Sequence, residues 1–396
     1  MILSTKASNL EPSATLAVVA KAKTMKREGK PVISFGAGEP DFTSPESALR
    51  YAQEAMEAGH THYTPGTGIP ELREEICRYY RERFGLKYRP EEVVVGAGAK
   101  ILLYEALSCL VDPGDEVIVF APAWVSYVEQ IRLCGAKEVV VETSDTDSVP
   151  NLERVREAIH TKTKCIMVNT PNNPTGAVYD RDTLVGLAQL AIEKDLILIF
   201  DEIYECLVYG DGEHHQIVAL VPEVRDRTVI VNGVSKAYAM TGWRIGYALG
   251  PSNIISKVGA IQGHLTSNPC SIAQYAALGA LREAEDDVKA MHREFAARRK
   301  LILKLIDAMP LVSFTEPQGA FYVLVDIRPC LGKAYEGEVI ADDVHFCKKF
   351  LESSYVAVVP GSAFLAPGFI RVSYSNSTDE ITEGMNRLET FLKSLS

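Results

Sequence analysis

Val229-Ile-Val-Asn-Gly-Val-Ser-Lys-Ala-Tyr-Ala-Met-Thr-Gly-Trp-Arg-Ile-Gly-Tyr247 is the stretch on which the fold turns. A short apolar run of β-strand composition ends at Asn232-Gly233, a turn-forming pair; Lys236 follows at once, with Arg244 eight positions on. That order predicts Lys236 at the carboxyl end of a strand, where open α/β sheets place their ligands. A lysine held there forms an imine with a carbonyl if its surroundings lower its pKa enough to leave some amine neutral. The plainer alternative is a solvated surface lysine followed by a core tryptophan.

Outward from this stretch the chain alternates strands and helices. Leu196-Ile-Leu-Ile-Phe200 runs into Asp201-Glu-Ile-Tyr204. An aspartate at the end of an all-apolar strand is costly if buried alone, so Asp201 requires a charged or proton-donating partner, unless it caps a helix or binds a metal. Cys165 to Asn169 is another strand, followed by the polar turn Thr-Pro-Asn-Asn173-Pro-Thr-Gly176. Glu116 to Phe120 is a strand that ends in Ala-Pro-Ala-Trp124, where the indole is either core or a flat apolar face for an aromatic ring. Further strand and helix candidates are Lys137 to Val141 and Asn151 to His160. Val93 to Val95 leads through Gly96-Ala-Gly98-Ala99-Lys100 into a helix with an apolar face from Ile101 to Leu110. Glycines before a helix expose backbone donors at its positive end, a phosphate seat, although a single such turn is weak evidence. This βαβα order implies a largely parallel sheet covered on both faces.

The two ends of the chain read differently. Leu10-Glu-Pro-Ser13-Ala-Thr15 precedes a helical run with lysines at 21, 23 and 26, and Ser13 is placed to cap it. Val32 to Phe35 is a short strand, Gly36-Ala-Gly38-Glu-Pro-Asp-Phe42 a tight turn, and Pro45 starts the next helix. His62-Tyr63-Thr-Pro-Gly-Thr-Gly68-Ile-Pro-Glu-Leu-Arg73 is a glycine-rich loop entering a helix, and spacing alone does not say what it binds. Glu283 to Met309 reads as a long solvated helix. Beyond it Gly319 to Val325, Val356 to Val359 and Phe369-Ile-Arg371-Val-Ser-Tyr374 supply strands, and a helix from Glu380 closes the chain. Arg371 lies inside an apolar strand, where a guanidinium needs an anion, either an internal carboxylate or a ligand.

The chain has 396 residues, 47% of them hydrophobic and 23% charged, which suits an ordinary globular protein with two or three domains. Its formal net charge of -11 disfavours nucleic acid as the main partner but leaves room for a local basic pocket. Eight scattered cysteines contain no Cys-x-x-Cys pair, which argues against zinc and against a disulfide framework, and for free thiols in a reducing compartment. No apolar signal core opens the sequence and no run reaches the roughly 18 apolar residues of a membrane span, so the expectation is a cytoplasmic protein without a membrane partner.

Ser235-Lys-Ala-Tyr-Ala-Met-Thr-Gly-Trp-Arg-Ile-Gly-Tyr247 resembles the cofactor-lysine segment of the class I, fold-type I pyridoxal-phosphate aminotransferases, in the subgroup of the bacterial aspartate aminotransferases. The Gly-x-Pro-Asp, Tyr-x-x-x-x-Gly and Asn-Pro-Thr-Gly strings and Asp201 match the same family, over nearly the whole chain. The resemblance implies an α/β fold. A large domain of residues 46–285, with a mostly parallel sheet covered by helices, binds the cofactor; residues 1–45 and 286–396 form a smaller α+β domain with the N-terminal active-site segment.

The resemblance also assigns roles. Lys236 carries pyridoxal 5'-phosphate as a covalent imine. Asp201 pairs with the pyridinium nitrogen, Asn173 and Tyr204 hydrogen-bond the ring oxygen, and Trp124 stacks on the ring. Gly98, Ala99 and Arg244 hold the phosphate, with Lys100 and Ser235 beside them, and Tyr63 reaches the phosphate of the neighbouring subunit. That last match implies a homodimer with shared sites. Arg371 clamps the substrate α-carboxylate, the backbone of Gly38 completes that pocket, and Lys100 with Thr15 contacts a distal carboxylate. Many relatives carry a phosphate-binding serine at the position of Gly233. Here the phosphate loses that hydroxyl.

The expected reaction moves the amino group of L-aspartate to 2-oxoglutarate in ping-pong fashion. The freed Lys236 amine takes the α-proton and returns it to the cofactor carbon, while Asp201 keeps the ring nitrogen protonated. Prephenate is the alternative acceptor, and aromatic or alanine transamination a lesser one. Two other classes compete. A Rossmann dehydrogenase fits the fold, but Gly96-Ala-Gly98 lacks the rest of the dinucleotide pattern. A pyridoxal-phosphate-binding regulator would add a DNA-binding segment, and none is expected here.

Overall fold

A computed structural model describes Ser4, Ser8, Leu10 and residues 12–396. The first strand, β1, is Ile33–Ser34. Seven strands then build the main sheet: β2 Val93–Gly96, β3 Glu116–Ala121, β4 Lys137–Glu142, β5 Thr163–Asn169, β6 Ile197–Asp201, β7 Thr228–Gly233 and β8 Gly246–Leu249. Their spatial order is β2-β8-β7-β6-β5-β3-β4. All neighbours are parallel except around β8, which runs antiparallel to both β2 and β7. The expected largely parallel sheet is present, and the carboxyl ends of β2, β3, β5, β6 and β7 share one edge.

The strands read as unbroken apolar runs because both faces are covered. Ile166 and Val168 of β5 face one core while Cys165 and Met167 face the other. Helices Pro70–Phe84, Arg181–Glu193 and Ser271–Glu283 contribute to the first core, and helices Ala99–Leu110, Val125–Leu133 and Ser252–Leu265 to the second.

A separate core gathers around the C-terminal strands. These are β9 Ser313–Phe314, β10 Tyr322–Asp326, β11 Ala334–Tyr335, β12 Glu338–Val339, β13 Val356–Ala357, β14 Val359–Pro360 and β15 Phe369–Ser373. Four form an antiparallel sheet in the order β14-β15-β10-β9, and β1 pairs in parallel with β13. Helix Ala14–Arg27 begins at Ser13, whose hydroxyl accepts from the Leu16 amide, and its Ala22 packs with Val32, Leu351 and Ala357.

Three expectations need correcting. The strand predicted from Val356 to Val359 is two strands, because Val356 and Ala357 pair with β1 while Val359 and Pro360 pair with β15. The segment Asn151 to His160 is helical only over Leu152–Glu157, with the Asn151 side chain capping it. The long helix runs Glu285–Asp307 and is not solvated throughout. Arg298 is buried, donating to both oxygens of Asp41 and to the Ser375 carbonyl, and the buried Arg299 donates to the Pro317 carbonyl. Among the described residues no helix is long and apolar enough to cross a membrane, and no cluster of three metal-ligating side chains occurs.

Candidate active site

The carboxyl edge of the main sheet and the small domain line a cavity of about 270 Å³. Each strand delivers its polar residue where apolar packing stops. β6 ends in Asp201, β5 in Asn169 with Asn173 in the following turn, and β7 in Gly233, three residues before Lys236. Opening the helix after β2, Ala99 and Lys100 also line the cavity, as do Trp124, Tyr204, Ser235 and Arg244. Thr15, Gly38 and Arg371 close the small-domain side.

Lys236 donates to the Gly38 carbonyl at 2.6 Å. Burial, then the positive charges of Arg371 and Arg244, lower its pKa to about 8. Its amine is therefore neutral far more often than that of a surface lysine. Asp201 is 4% exposed; its carboxylate accepts from the Tyr127 hydroxyl at 2.7 Å and from the Ile203 amide at 3.2 Å. Burial raises its pKa to about 6, and those two donors oppose the rise. Among the described residues no cation forms an ion pair with it, and Lys236 acts on it only at longer range.

Arg371 is 1% exposed and has no carboxylate partner among the described residues. Its guanidinium donates to Asn173 Oδ1 at 2.9 Å and to the Gly36 carbonyl at 2.8 Å, and lies against the Tyr322 and Phe364 rings. Its Nε–H has no acceptor among the described residues. A buried guanidinium held by neutral groups, with one donor unmet, is built for an incoming anion. Lys100 lies over the Trp124 ring at 4.8 Å, with its pKa lowered by burial and then by Arg244. The Thr15 hydroxyl is buried and has no hydrogen-bond partner among the described residues.

Gly98 caps the helix Ala99–Leu110 with φ at +93°, and a Cβ there would lie 2.5 Å from Arg244 Nη2. The helix N-terminus and the Arg244 guanidinium thus lie together, a pairing that can hold an anion, and Ser235 lines the same cavity. Arg244 itself adopts φ +56°, an uncommon left-handed conformation for a non-glycine residue. Gly233 has a packing reason: a side chain there would come within 2.9 Å of Gly246 Cα and of the Ile245 carbonyl. Two glycines face each other in the β7–β8 register, so this chain has no room for a serine at 233 without moving β8.

The profile of "Aminotransferase class I and II" matches residues 30–388. The chain belongs to the class I and II aminotransferases. This aminotransferase is 42% identical to an aspartate aminotransferase of Bacillus sp. (strain YM-2), over 99% of both chains. It is 44% identical to an aspartate/prephenate aminotransferase of Thermus thermophilus, over 98% of both. Its structure superposes on the aspartate aminotransferase from Thermus thermophilus with maleate at a TM-score of 0.93 and 42% identity, covering 99% of this chain and 100% of that one. On the Rhizobium meliloti aspartate aminotransferase the TM-score is 0.95 at 38% identity, with 100% of both chains covered. The aminotransferase is thus a pyridoxal-phosphate-dependent enzyme of fold type I in the bacterial aspartate aminotransferase subgroup.

Of the site residues expected from sequence, the aminotransferase gathers all but two at the cavity: Gly98 stands just behind it under Arg244, and Tyr63 is 91% exposed and away from it. Sequence reasoning missed Tyr127 and Tyr322, and read Asn169 as the end of a strand without giving it a role at the site. Tyr127 carries no local signal, being one aromatic on an amphipathic helix. Tyr322, whose hydroxyl pairs with Tyr204 at 2.9 Å, reads as a core position of β10.

Proposed function

We propose that this aminotransferase moves the amino group of L-aspartate to 2-oxoglutarate, giving oxaloacetate and L-glutamate. The observation that carries the proposal is the pair of cations at one cavity. Among the described residues Arg371 has an unmet donor and Lys100 has no carboxylate partner, so both carboxylates of a dicarboxylic substrate would find a cation at the cavity that holds Lys236.

The cavity also fits pyridoxal phosphate. The cradle of Gly98, Ala99, Ser235 and Arg244 would hold its phosphate and Trp124 would cover its ring. Asn173 and Tyr204 would meet its ring oxygen, Asp201 its ring nitrogen, and Lys236 would attach it covalently. Bound there, the cofactor supplies an electron sink for the carbon that loses its proton. The chain's residues do the rest. Arg371 binds the α-carboxylate through its planar fork, and Lys100 with Thr15 takes the side-chain carboxylate. The Lys236 Nζ, freed when the substrate amine takes its place and held below the ordinary lysine range by burial, would remove the α-proton and redeliver it. Asp201, whose ionised form is favoured by the Tyr127 hydroxyl and the Ile203 amide against burial, would keep a proton on the ring nitrogen. Tyr63 would reach the phosphate in the second subunit of a cytoplasmic homodimer.

Prephenate is a second acceptor within this reading, because two relatives at 43% and 44% identity are named aspartate/prephenate aminotransferases. The test is to titrate the loaded enzyme with aspartate, glutamate, alanine and phenylalanine, then the aminated form with prephenate and the other oxo acids, and follow the cofactor band. Fast, oxo-acid-reversible conversion by aspartate and glutamate is expected. Faster conversion by alanine or phenylalanine would overturn the dicarboxylic assignment, and absence of any band after adding cofactor would overturn the role of Lys236.

A further inference from the structure

In the loop Thr61 to Ile69 the Tyr63 side chain is 91% exposed, yet the backbone beneath it is tied down at several points. Two glutamines do this, each 0% exposed. Gln274, in the helix Ser271–Glu283, accepts from the Ile69 amide at 2.8 Å and donates to Thr64 Oγ1 and to the Pro269 carbonyl, each at 3.0 Å. Its amide is fully satisfied, and the loop's far end and its Thr64 are fixed by it. Gln262, in the helix Ser252–Leu265, donates to the Gly66 carbonyl and, at 2.8 Å, to the Val95 carbonyl. Val95 in turn donates from its amide to the Thr67 carbonyl at 3.0 Å. Gly68 sits at φ +101°, where a Cβ would lie 2.7 Å from the Val95 side chain.

A solvent-exposed loop needs no such foundation for its own sake, since water satisfies exposed backbone. Burying an amide side chain costs free energy unless its hydrogen bonds are made. Gln274 makes all of its own; Gln262 makes both donor bonds, to the Gly66 and Val95 carbonyls, and leaves its buried Oε1 without a partner among the described residues, so a backbone position is fixed here at a cost. Val95 is also the penultimate residue of β2, whose end Gly96 opens the turn to Gly98. One side chain therefore joins the strand that leads to this subunit's anion cradle to the loop that presents Tyr63.

We propose that Gln262 and Gln274 are positioning residues that set Tyr63 for the cofactor phosphate of the second subunit, with Gln262 coupling the two sites. The inference rests on the proposed shared-site dimer.

Hybrid dimers test it. One subunit carries Lys236→Ala, so that a single complete site remains, in its partner. Gln274→Glu, which keeps the acceptor for Ile69 but loses both donors, is placed either on the K236A subunit or on the subunit that retains Lys236. The readout is the rate of cofactor loss from the remaining site, followed by its absorbance during dilution into buffer with a cofactor scavenger. Loss about tenfold faster is expected when Q274E shares the chain with K236A, since that chain lends its loop to the working site, and no change when it lies on the other chain. Gln262→Glu is expected to speed loss from both placements. Faster loss only when Q274E and Lys236 share a chain, or equal loss in both placements with a lowered melting temperature, would overturn the inference. Tyr63→Phe in the same hybrids separates the two ideas. If it changes nothing in either placement, the shared-site reading itself is wrong. If it acts in trans while Q274E does not, only the positioning role fails.

Discussion

The Tyr127 hydroxyl donates to Asp201 Oδ2 at 2.7 Å, from the helix that follows β3 to the end of β6. It is the strongest opponent of the burial that pushes the Asp201 pKa up to about 6. Removing a donor to the ionised form raises that pKa further. Tyr127→Phe is therefore expected to move the acidic limb of the pH profile of kcat/KM upward and to lower kcat about tenfold or more, since hydrogen bonds to charged groups contribute about 1.5–3 kcal/mol. An unchanged acidic limb in steady-state kinetics from pH 5 to 9 would show that Tyr127 does not tune Asp201.

Arg371→Lys keeps the charge but loses the planar fork that reaches the Asn173 oxygen and the Gly36 carbonyl. The expected result is a KM for amino acids raised by the equivalent of about 2–5 kcal/mol, with kcat reduced less. Lys100→Ala is expected to weaken aspartate and glutamate while leaving alanine nearly unaffected. Equal loss for all three substrates would contradict the distal-carboxylate role.

Lys236 gives a stability prediction for the apoprotein. Its folded pKa of about 8 lies below the ordinary 10.5, so folding disfavours its charged form. Below about pH 8 that cost is fully present; between 8 and 10.5 the unfolded chain binds more protons, and stability rises with pH. Apo Lys236→Met is expected to be more stable than the apo wild type at pH 7, by on the order of 3 kcal/mol, with the gap closing toward pH 10. Urea melts at pH 7, 9 and 10 measure it, and a gap that stays constant with pH would refute the linkage.

Gly233→Ser restores the hydroxyl that many relatives carry but meets Gly246 Cα and the Ile245 carbonyl at 2.9 Å. Overpacking of this kind costs about 1–3 kcal/mol. The melting temperature should fall without tighter cofactor retention, as read by differential scanning calorimetry and by cofactor release. Tighter retention at unchanged stability would mean that β8 gives way easily.

Much of this protein was already determined by its sequence. Apolar runs ending in Asn169, Asp201 and Gly233 are local patterns, and a chain that stops being apolar at successive strand ends puts its polar residues along one sheet edge. The glycine turn at Gly98 and the strand around Arg371 were legible for the same reason. Tertiary structure decided what depends on neighbours distant in the chain. Tyr127 meets Asp201 across 74 positions, Gln274 meets Ile69 across 205, and Arg298 and Arg299 leave solvent because a loop and the small domain close over them. Val356 to Val359 looks like one strand to local reasoning and serves two sheets in space. Periodicity reports which side of an element is buried. Only the packing of elements says what each buried polar atom meets.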